Sequence, residues 1–552
     1  MKKFRPGVTF SDFIVSESKT AKLGLPNSAG LGLRLSSWMM LVVAGCLAIL
    51  LTRLVSLQLL QGGKNLVLAN ENRIRKIVLP APRGKILDRN GAILADNDSD
   101  GRRIYPLGQY SSHVLGYLGE VGESEVGLLT PKGDKYRNQG LVGRMGLESQ
   151  YEDSLRGVDG GRLVEVDTLG KIVRELGDRK SESGADLQTT LDASLQKTAG
   201  EALTRPGAVV VSNPKTGEIL ALVSSPSFNP QKVLPTSEFF NRAIGGVYPP
   251  GSTFKMITTI AALSEKKVPE NFTYTDTGSI NVGKFSYTNW FFSQHGRTEG
   301  EVGWVKALTR STDTFFYKVG EMTGSDILAM WANKMGLGAK TGIDIPGEIA
   351  GLIPTPGWKQ QIKGEAWFLG NTYHMAIGQG DVLATPLQVN LMTNIIATNG
   401  TKCVPHLLST APSNPPPNLG GGRKEVVCTE VRISSDILNI VKKGMIGACS
   451  EGGTAYPFFD WNGQISNPKS QYPIVACKTG TAEYVQSSGK IGSHAWFTVY
   501  APADDPTISV TVLVEGGGEG STAAAPIARK ILAKYFGVED KFNYSVVQGV
   551  GE

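Results

Sequence analysis

Residues 36–52 read SSWMMLVVAGCLAILLT, a run without one charged side chain. With Leu35 before it and Arg53 after it, whose apolar stem lets the guanidinium reach back to water, the run approaches the ~20 residues a helix needs to cross a bilayer. A chain with such a segment must solve two folding problems, one in lipid and one in water. Residues 1–35 carry Lys2, Lys3, Arg5, Lys19, Lys22 and Arg34 against Asp12 and Glu17, so the N-terminal side is expected in the cytoplasm and the remainder outside it. A cleaved signal peptide would have a shorter leading tail and a terminal small-residue site, whereas Ala44, Gly45 and Ala48 lie inside the run. The expectation is an uncleaved anchor, with a buried core helix as the alternative.

Beyond the anchor the chain has ample length for a large core, since 552 residues correspond to about three or four ordinary domains. Its 41% apolar and 19% charged content is that of a globular protein. The net charge of +6 is spread too thinly for a nucleic-acid partner, and no basic stripe interleaved with aromatics occurs. Five cysteines are few for a disulfide scaffold and match no zinc spacing. Cys46 lies in the anchor. Cys403 and Cys428 stand in two strand-like runs, KCVPHLLS and KEVVCTEVRI, joined by a Pro/Gly-rich loop, which leaves a cross-strand disulfide open; Cys449 and Cys477 form the other candidate pair.

Residues 61–183 read as short strands and turns, with Asn90-Gly91 between apolar runs as a hairpin signal. From Asp186 a helical run, LQTTLDASLQKTAGEAL, precedes a hairpin of GAVVVS and EILALVSS around Asn213-Pro214. Helical stretches at 328–335, 386–398 and 435–445 follow, then strands at 495–500 and 507–515 and a helix at 524–535. The pattern is α+β, and the late consecutive strands point to an antiparallel sheet.

The chemistry-bearing signal is Ser252-Thr-Phe-Lys255 after Tyr248-Pro-Pro-Gly. Pro249, Pro250 and Gly251 break any preceding element, so a helix is expected to begin at Ser252 and run through Met256, Ile257, Ile260 and Leu263. An offset of three puts Ser252 and Lys255 on one face, where an uncharged amine can take the hydroxyl proton. The same spacing recurs at Ser16/Lys19, Ser194/Lys197, Ser212/Lys215, Ser264/Lys267, Ser466/Lys469 and Ser487/Lys490. Only Ser252 joins a helix start to a long apolar face; otherwise it would be an ordinary helix cap.

Lys-Thr-Gly occurs three times, at Lys215, Lys340 and Lys478. The first is a hairpin turn and the second follows a helix end. The third, Lys478-Thr479-Gly480-Thr481, follows a strand-like run, where its ammonium and hydroxyls can line a sheet edge and grip a carboxylate. Ser311-Thr-Asp313 is by itself most often a turn or helix cap.

In this order, Ser252/Lys255, Ser311/Asp313 and Lys478/Thr479/Thr481 resemble the signature of serine penicillin-binding proteins and β-lactamases. YPPGSTFK, STDTFFY, AIGQGDVLATPLQ, CKTGTAE and HAWFTVYAP look like a class B penicillin-binding protein, as do Asn72-Arg73, Arg83-Gly84, Asp88-Arg89-Asn90-Gly91 and residues 140–157 upstream. The aspartate at 313, His295-Gly296 and Trp358-Lys359 resemble the elongation-type penicillin-binding protein 2 branch, with the division-type transpeptidase nearest to it. The resemblance implies a tail at 1–35, an anchor at 36–58, a β-rich pedestal of dimerisation type at 59–185, a transpeptidase domain at 186–540 with a five-stranded antiparallel sheet flanked by helices, and a short tail at 541–552.

The implied activity is a D,D-transpeptidase that cross-links peptidoglycan stem peptides from lipid II-derived glycan outside the cytoplasmic membrane and is acylated by β-lactams. In it Ser252 attacks, Lys255 is the base, Ser311 relays a proton, and Lys478, Thr479 and Thr481 hold the substrate carboxylate. Gly480 admits a close approach, and the N–H groups of Ser252 and Thr481 form an oxyanion hole. With no polymerase domain before the catalytic region, the resemblance implies a separate SEDS-family membrane glycosyltransferase as partner. A penicillin-binding sensor and a β-lactamase-like hydrolase are the alternatives of other classes.

Three departures carry expectations. Asp313, where the wider family has asparagine, only accepts hydrogen bonds when ionised and would raise the pKa of Lys255. Cys477 stands where glycine is usual. Some members of the elongation branch bind a metal through Asp, His and Cys side chains between the first two motifs. Here Asp276 and His295 fall at suitable positions, but Asn289 replaces a carboxylate and no cysteine lies between Lys255 and Ser311, so neither a metal nor another cofactor is expected.

Overall fold

The computed structural model describes residues 31–129, 140–167, 169–236, 238–409, 426–463, 472–485 and 489–544. The tail up to residue 30, the pairs Ser16/Lys19 and Ser466/Lys469, Ser487, and residues 545–552 lie outside this set. The chain divides into two compact units, Met1–Val78 with Gly161–Arg179, and Leu79–Gly160 with Lys180–Glu552.

In the first unit the uncharged run is helical from Leu31 to Val55, and Ser37–Leu60 is long and apolar enough to cross a membrane, with a mean hydropathy of 2.3. Its side chains from Ser37 to Val55 face outward, Trp38 being 71% exposed, an arrangement suited to lipid. Residues Gly62–Arg73 form a further helix where short strands and turns were expected. The sequence there, GGKNLVLANENR, has no period-two alternation of β-branched residues to favour a strand. A three-stranded sheet of Ile74–Leu79, Gly160–Val166 and Ile172–Arg179 completes the unit.

The second unit is built on a five-stranded antiparallel sheet. Its strands are β1 (Gly207–Ser212), β2 (Ile219–Ser225), β3 (Ala476–Val485), β4 (Ile491–Ala501) and β5 (Ile508–Val514), in the order β2-β1-β5-β4-β3. The hairpin expected around Asn213-Pro214 is the β1/β2 pair, and β3 lies at the sheet edge. The helices that matter below are α1 (Ala193–Ala202), α2 (Lys255–Ser264), α3 (Trp290–His295), α4 (Trp304–Arg310), α5 (Asp313–Thr323), α6 (Pro386–Ala397), α7 (Ser435–Ala448) and α8 (Ala525–Phe536).

The strands are apolar on both sides because both sides are covered. On one face Phe497, Val499, Val510 and Val512 pack against Leu195 and Ala199 of α1 and Ile531 and Leu532 of α8. Trp496, Tyr500 and Leu513 on the other face join the core of α2, α4 and α5. Residues upstream of the catalytic motifs share in the sheet's burial, since Ile86, Leu94, Leu155 and Leu187 cluster with Ala208, Val210 and Leu222. The Asn90-Gly91 turn lies between paired strands Ile86–Leu87 and Ile93–Asn97, with Gly91 at φ +86°. Nearby, buried Arg83 and Arg103 share Glu148, each at 2.6 to 2.7 Å, and Arg83 also reaches Glu152 at 2.6 Å.

Helix α6 is buried on every side and meets the sheet through polar groups. Ser212 donates to Asn390 at 2.6 Å, Asn390 donates to Ser509 and Thr511 at 3.1 and 3.2 Å, and Thr393, Thr498 and Thr511 link through hydroxyls at 2.8 Å. Buried polar groups of this kind are tolerable only as a satisfied network, and they fix where the helix sits along the strands.

Both candidate disulfides are present. Cys403 and Cys428 pair directly across a two-stranded ladder, and Cys449 at the end of α7 is bonded to Cys477 of β3. Their loops of 25 and 28 residues make each worth about 3 kcal/mol by loop closure. Alkylation of the denatured, unreduced protein should therefore modify Cys46 alone. Peptide mass spectrometry that finds a labelled Cys477 or Cys403 would contradict this pairing.

Candidate active site

Gly251–Phe254 forms a 3₁₀ turn that runs straight into α2, so the helix starts slightly tighter and one residue earlier than the sequence suggests. In a 3₁₀ turn residues i and i+3 eclipse, which aligns Ser252 with Lys255. Gly251 makes the turn possible, with φ +55° and its N–H donating to Gly378 O at 2.8 Å. Ser252 is part-exposed, whereas Lys255 is 0% exposed.

Lys255 Nζ donates to Ser311 O at 2.7 Å, Ser311 Oγ at 3.0 Å and Asp313 Oδ1 at 2.6 Å. Its three N–H groups are accounted for without Ser252, so in this state the lysine belongs to the second motif. Burial, which penalises the ammonium, pulls its pKa below the ordinary lysine range, and the Asp313 carboxylate only partly opposes it. The expected opposition from Asp313 is therefore present but is the smaller effect. The Phe316 ring, 5.4 Å from Nζ, is a further cation-binding surface.

Ser311 ends α4 and Asp313 opens α5, and the reversal between them is made by Ser311 in the left-handed region at φ +56°. A non-glycine residue in that conformation is strained and must be held by its surroundings. Two consecutive residues hold Asp313: Asn289 Oδ1 accepts its N–H at 3.1 Å, and the Trp290 N–H donates to its Oδ2 at 3.0 Å. The Trp290 indole also donates to Arg310 O at 2.9 Å, bracing the other side of Ser311.

Lys478 is likewise 0% exposed and opposite Thr498 in the β3/β4 register. Burial, with repulsion from Lys255 added, holds its pKa well below the ordinary lysine range, and Asp313 opposes. The pleat sends Thr479 and Thr481 to the other side of the strand from Lys478 and Gly480. Thr479 Oγ1 pairs with Thr454 Oγ1 at 2.8 Å. Gly480 passes close to the first motif: a Cβ there would lie 3.2 Å from both Pro250 O and Thr253 Cγ2. Thr481 O accepts from Gln379 Nε2 at 3.4 Å. The structure thus brings Lys255, Ser311 and Asp313 into direct contact, couples Lys478 to them by charge, and runs β3 beside the turn that carries Ser252.

The decoys go elsewhere. Ser212 is buried in the α6 network, and Thr341 and Gly342 wrap their N–H groups around Glu348. Side chains that the sequence did not single out include Trp290, Thr454 and Gln379; of these only Gln379 lay within a quoted run, AIGQGDVLATPLQ. A backbone N–H such as that of Trp290 leaves no signal in a sequence.

The residues weighed above as metal ligands do not fit an ion. Asp276 accepts four hydrogen bonds, from Gly278 N and Thr314 Oγ1 on Oδ1, and from Asn289 Nδ2 and Glu299 N on Oδ2, at 2.7 to 3.0 Å. Because Asn289 Oδ1 faces the Asp313 N–H, its amide presents hydrogens, not a lone pair, to Asp276. The His295 ring packs beside Phe291 at 5.2 Å. Among the described residues no group of three His, Cys, Asp or Glu side chains could hold a metal ion.

Residues 207–533 match the family described as the penicillin binding protein transpeptidase domain, and residues 98–189 the penicillin-binding protein dimerisation domain. The peptidoglycan D,D-transpeptidase MrdA of Acinetobacter baumannii is 30% identical over 578 aligned positions, covering 87% of this chain and 84% of that protein. The crystal structure of Pseudomonas aeruginosa PBP2 in complex with WCK 5153 superposes with a TM-score of 0.70 at 30% identity, over 85% of this chain and 99% of that one. A structure described as the structural coordination of polymerization and crosslinking by a peptidoglycan synthase complex gives 0.70 at 28% identity, over 92% and 99%.

Gly520, on the loop after β5, has no room for a side chain: a Cβ would lie 2.0 Å from Trp496 O and 2.7 Å from Gly480 O, both backbone atoms. Gly520→Ala should loosen the edge strand, with amide hydrogen exchange across 478–482 faster by about tenfold. Exchange equal to that of the parent protein would show that the strand edge does not depend on this contact.

Proposed function

The chain belongs to the family of penicillin-binding protein transpeptidases, and from that membership we infer how its residues carry the reaction of an elongation-type peptidoglycan D,D-transpeptidase that β-lactams target. The division-type reading is not favoured, since the relative reported above is an MrdA transpeptidase. The observation that carries the residue assignment is the buried contact of Lys255 with Ser311 and Asp313, beside the turn bearing Ser252.

In this reading Ser252 Oγ attacks the carbonyl of the penultimate D-Ala, its proton passing to neutral Lys255. Collapse of the tetrahedral adduct breaks the peptide bond and releases terminal D-Ala, leaving an ester on Ser252. The 3.0 Å contact between Lys255 Nζ and Ser311 Oγ offers the path by which the proton reaches the departing amine. An amine of a neighbouring stem peptide then attacks the ester, and the same path runs in reverse to free Ser252. The N–H groups of Ser252 and Thr481 are assigned to the developing oxyanion, a contribution of about 3 to 4 kcal/mol in serine enzymes. Lys478, with Thr479, Gly480 and Thr481, is assigned to the substrate carboxylate, whose arrival would supply the counter-charge that buried Lys478 lacks.

The protein is membrane-anchored through the span Ser37–Leu60. The charge balance of residues 1–35 supports a cytoplasmic N-terminus, with the catalytic region outside the membrane. Residues 59–185 are assigned to the pedestal and 186–540 to the transpeptidase domain. A SEDS-family glycosyltransferase is the partner proposed to supply nascent glycan from lipid II, in keeping with the synthase complex that this chain resembles.

Labelled penicillin should form a stable adduct on Ser252, located by peptide mass spectrometry, and Ser252→Ala should form none. A label on another serine, or release within seconds, would overturn the assignment. The pH dependence follows from the sign of the Lys255 shift. Acylation needs the neutral amine, so the rate rises with pH along an acid limb that lies below the ordinary lysine range. Asp313→Asn removes the charge that raises the Lys255 pKa, so the limb should move to lower pH while the plateau falls. A limb that stays put or moves up would remove Lys255 from the base role.

A further inference from the structure

Asp276 is buried: burial alone would raise its pKa, but the four hydrogen bonds it accepts outweigh that and hold it below the ordinary carboxylate range. Three of those donors lie far apart in sequence. Asn289 precedes α3, Glu299 follows it, and Thr314 lies in the first turn of α5. A single carboxylate therefore ties together the segment before the second motif and the helix that begins with it.

The tie is continuous with the catalytic contacts. Residues 276, 289 and 290 together clamp residues 313 and 314. Asn289 holds the Asp313 main chain, Trp290 holds its Oδ2, and Thr314 is held by Asp276, which also fixes the Asn289 amide. What remains free of the clamp is Asp313 Oδ1, the atom that receives Lys255 Nζ at 2.6 Å. We propose that Asp276 and Asn289 form a hydrogen-bonded, metal-independent positioning unit that aims Asp313 at Lys255 for acylation. The amide of Asn289 does the joining that an ion between carboxylate ligands would otherwise do, by donating to one aspartate and accepting from the backbone of the other.

The proposal rests on the reading of Ser252 as nucleophile, and the experiment separates the two. Full-length protein in detergent is titrated with fluorescent penicillin to count competent sites, and the acylation rate k2 and the dissociation constant Ks are then measured for that competent fraction, with and without prior dialysis against EDTA. Failure of the parent protein to acylate at Ser252 would sink the functional reading itself. Given parent acylation, Asn289→Leu removes both the donor and the acceptor and should lower k2 by about ten- to a hundredfold, the scale of misplacing a reacting group by an ångström. Ks should change little, because β3, which is assigned to the carboxylate, is not touched, and EDTA should leave the parent k2 unchanged. General loosening of the fold would instead reduce the competent fraction or move k2 and Ks together.

Should Asn289→Leu yield no folded protein, Thr314→Val decides. It removes one of the four donors at nearly constant shape and should lower k2 several-fold, on the order of one lost hydrogen bond to a charged group. A parent-like k2 in the competent fraction, a fall in k2 matched by a rise in Ks, or a parent k2 lost in EDTA would each overturn the proposal.

Discussion

The buried pair of Lys255 and Asp313 is the interaction on which the rest of the site depends. Removing either charge from water costs several kcal/mol, and an unpaired ammonium at that depth would lose its proton. Pairing keeps the lysine poised between two states: burial pulls toward the neutral amine, and the carboxylate at 2.6 Å pulls back. In the proposed role of base, Lys255 must both take and return a proton, which needs that balance, and the balance holds only while Asp313 stays where it is. The αL turn at Ser311 and the clamp from residues 289 and 290 are there to keep it in place.

The second buried lysine makes the same point from the other side of the cleft. Among the described residues Lys478 has no carboxylate contact, its Nζ donating to Thr479 O at 3.1 Å, and it feels Lys255 as a like charge. Two lysines are kept out of water with the Asp313 carboxylate in contact with Lys255, and in the proposed reading an anionic substrate group supplies further negative charge. Electrostatics and burial together thus favour a ligand carrying a carboxylate over a neutral one.

The sheet is the reason these groups meet. Strand β3 sits at its edge, where among the described residues no strand pairs with its outer side, and Gly520 lets backbones approach within distances that no Cβ would permit. Behind the strand, the disulfide from Cys477 to Cys449 and the hydroxyl ladder from Thr498 to α6 hold its position. Cys477, a departure from the usual glycine in the sequence, is thereby a covalent tie on the residue next to Lys478.

Much of this was legible in the chain itself. The anchor, the hairpin at Asn213-Pro214 and the helix that begins beside Ser252 all depend on residues within a few positions of one another, where periodicity and turn chemistry act directly. The short helix after the span was misread because its residues carry no strong period of either kind. Context in the chain singles out Ser252 and Lys478 from their decoys, but the meeting of Lys255 with Ser311 and Asp313 was decided only by tertiary structure, as were the turning of Thr479 toward Thr454 and the work of Asn289. Local patterns report local geometry, whereas Lys255 and Asp313 are 58 residues apart and meet only because separate elements pack against a common core. The balance of burial against charge at that meeting point exists only once the chain has closed around it.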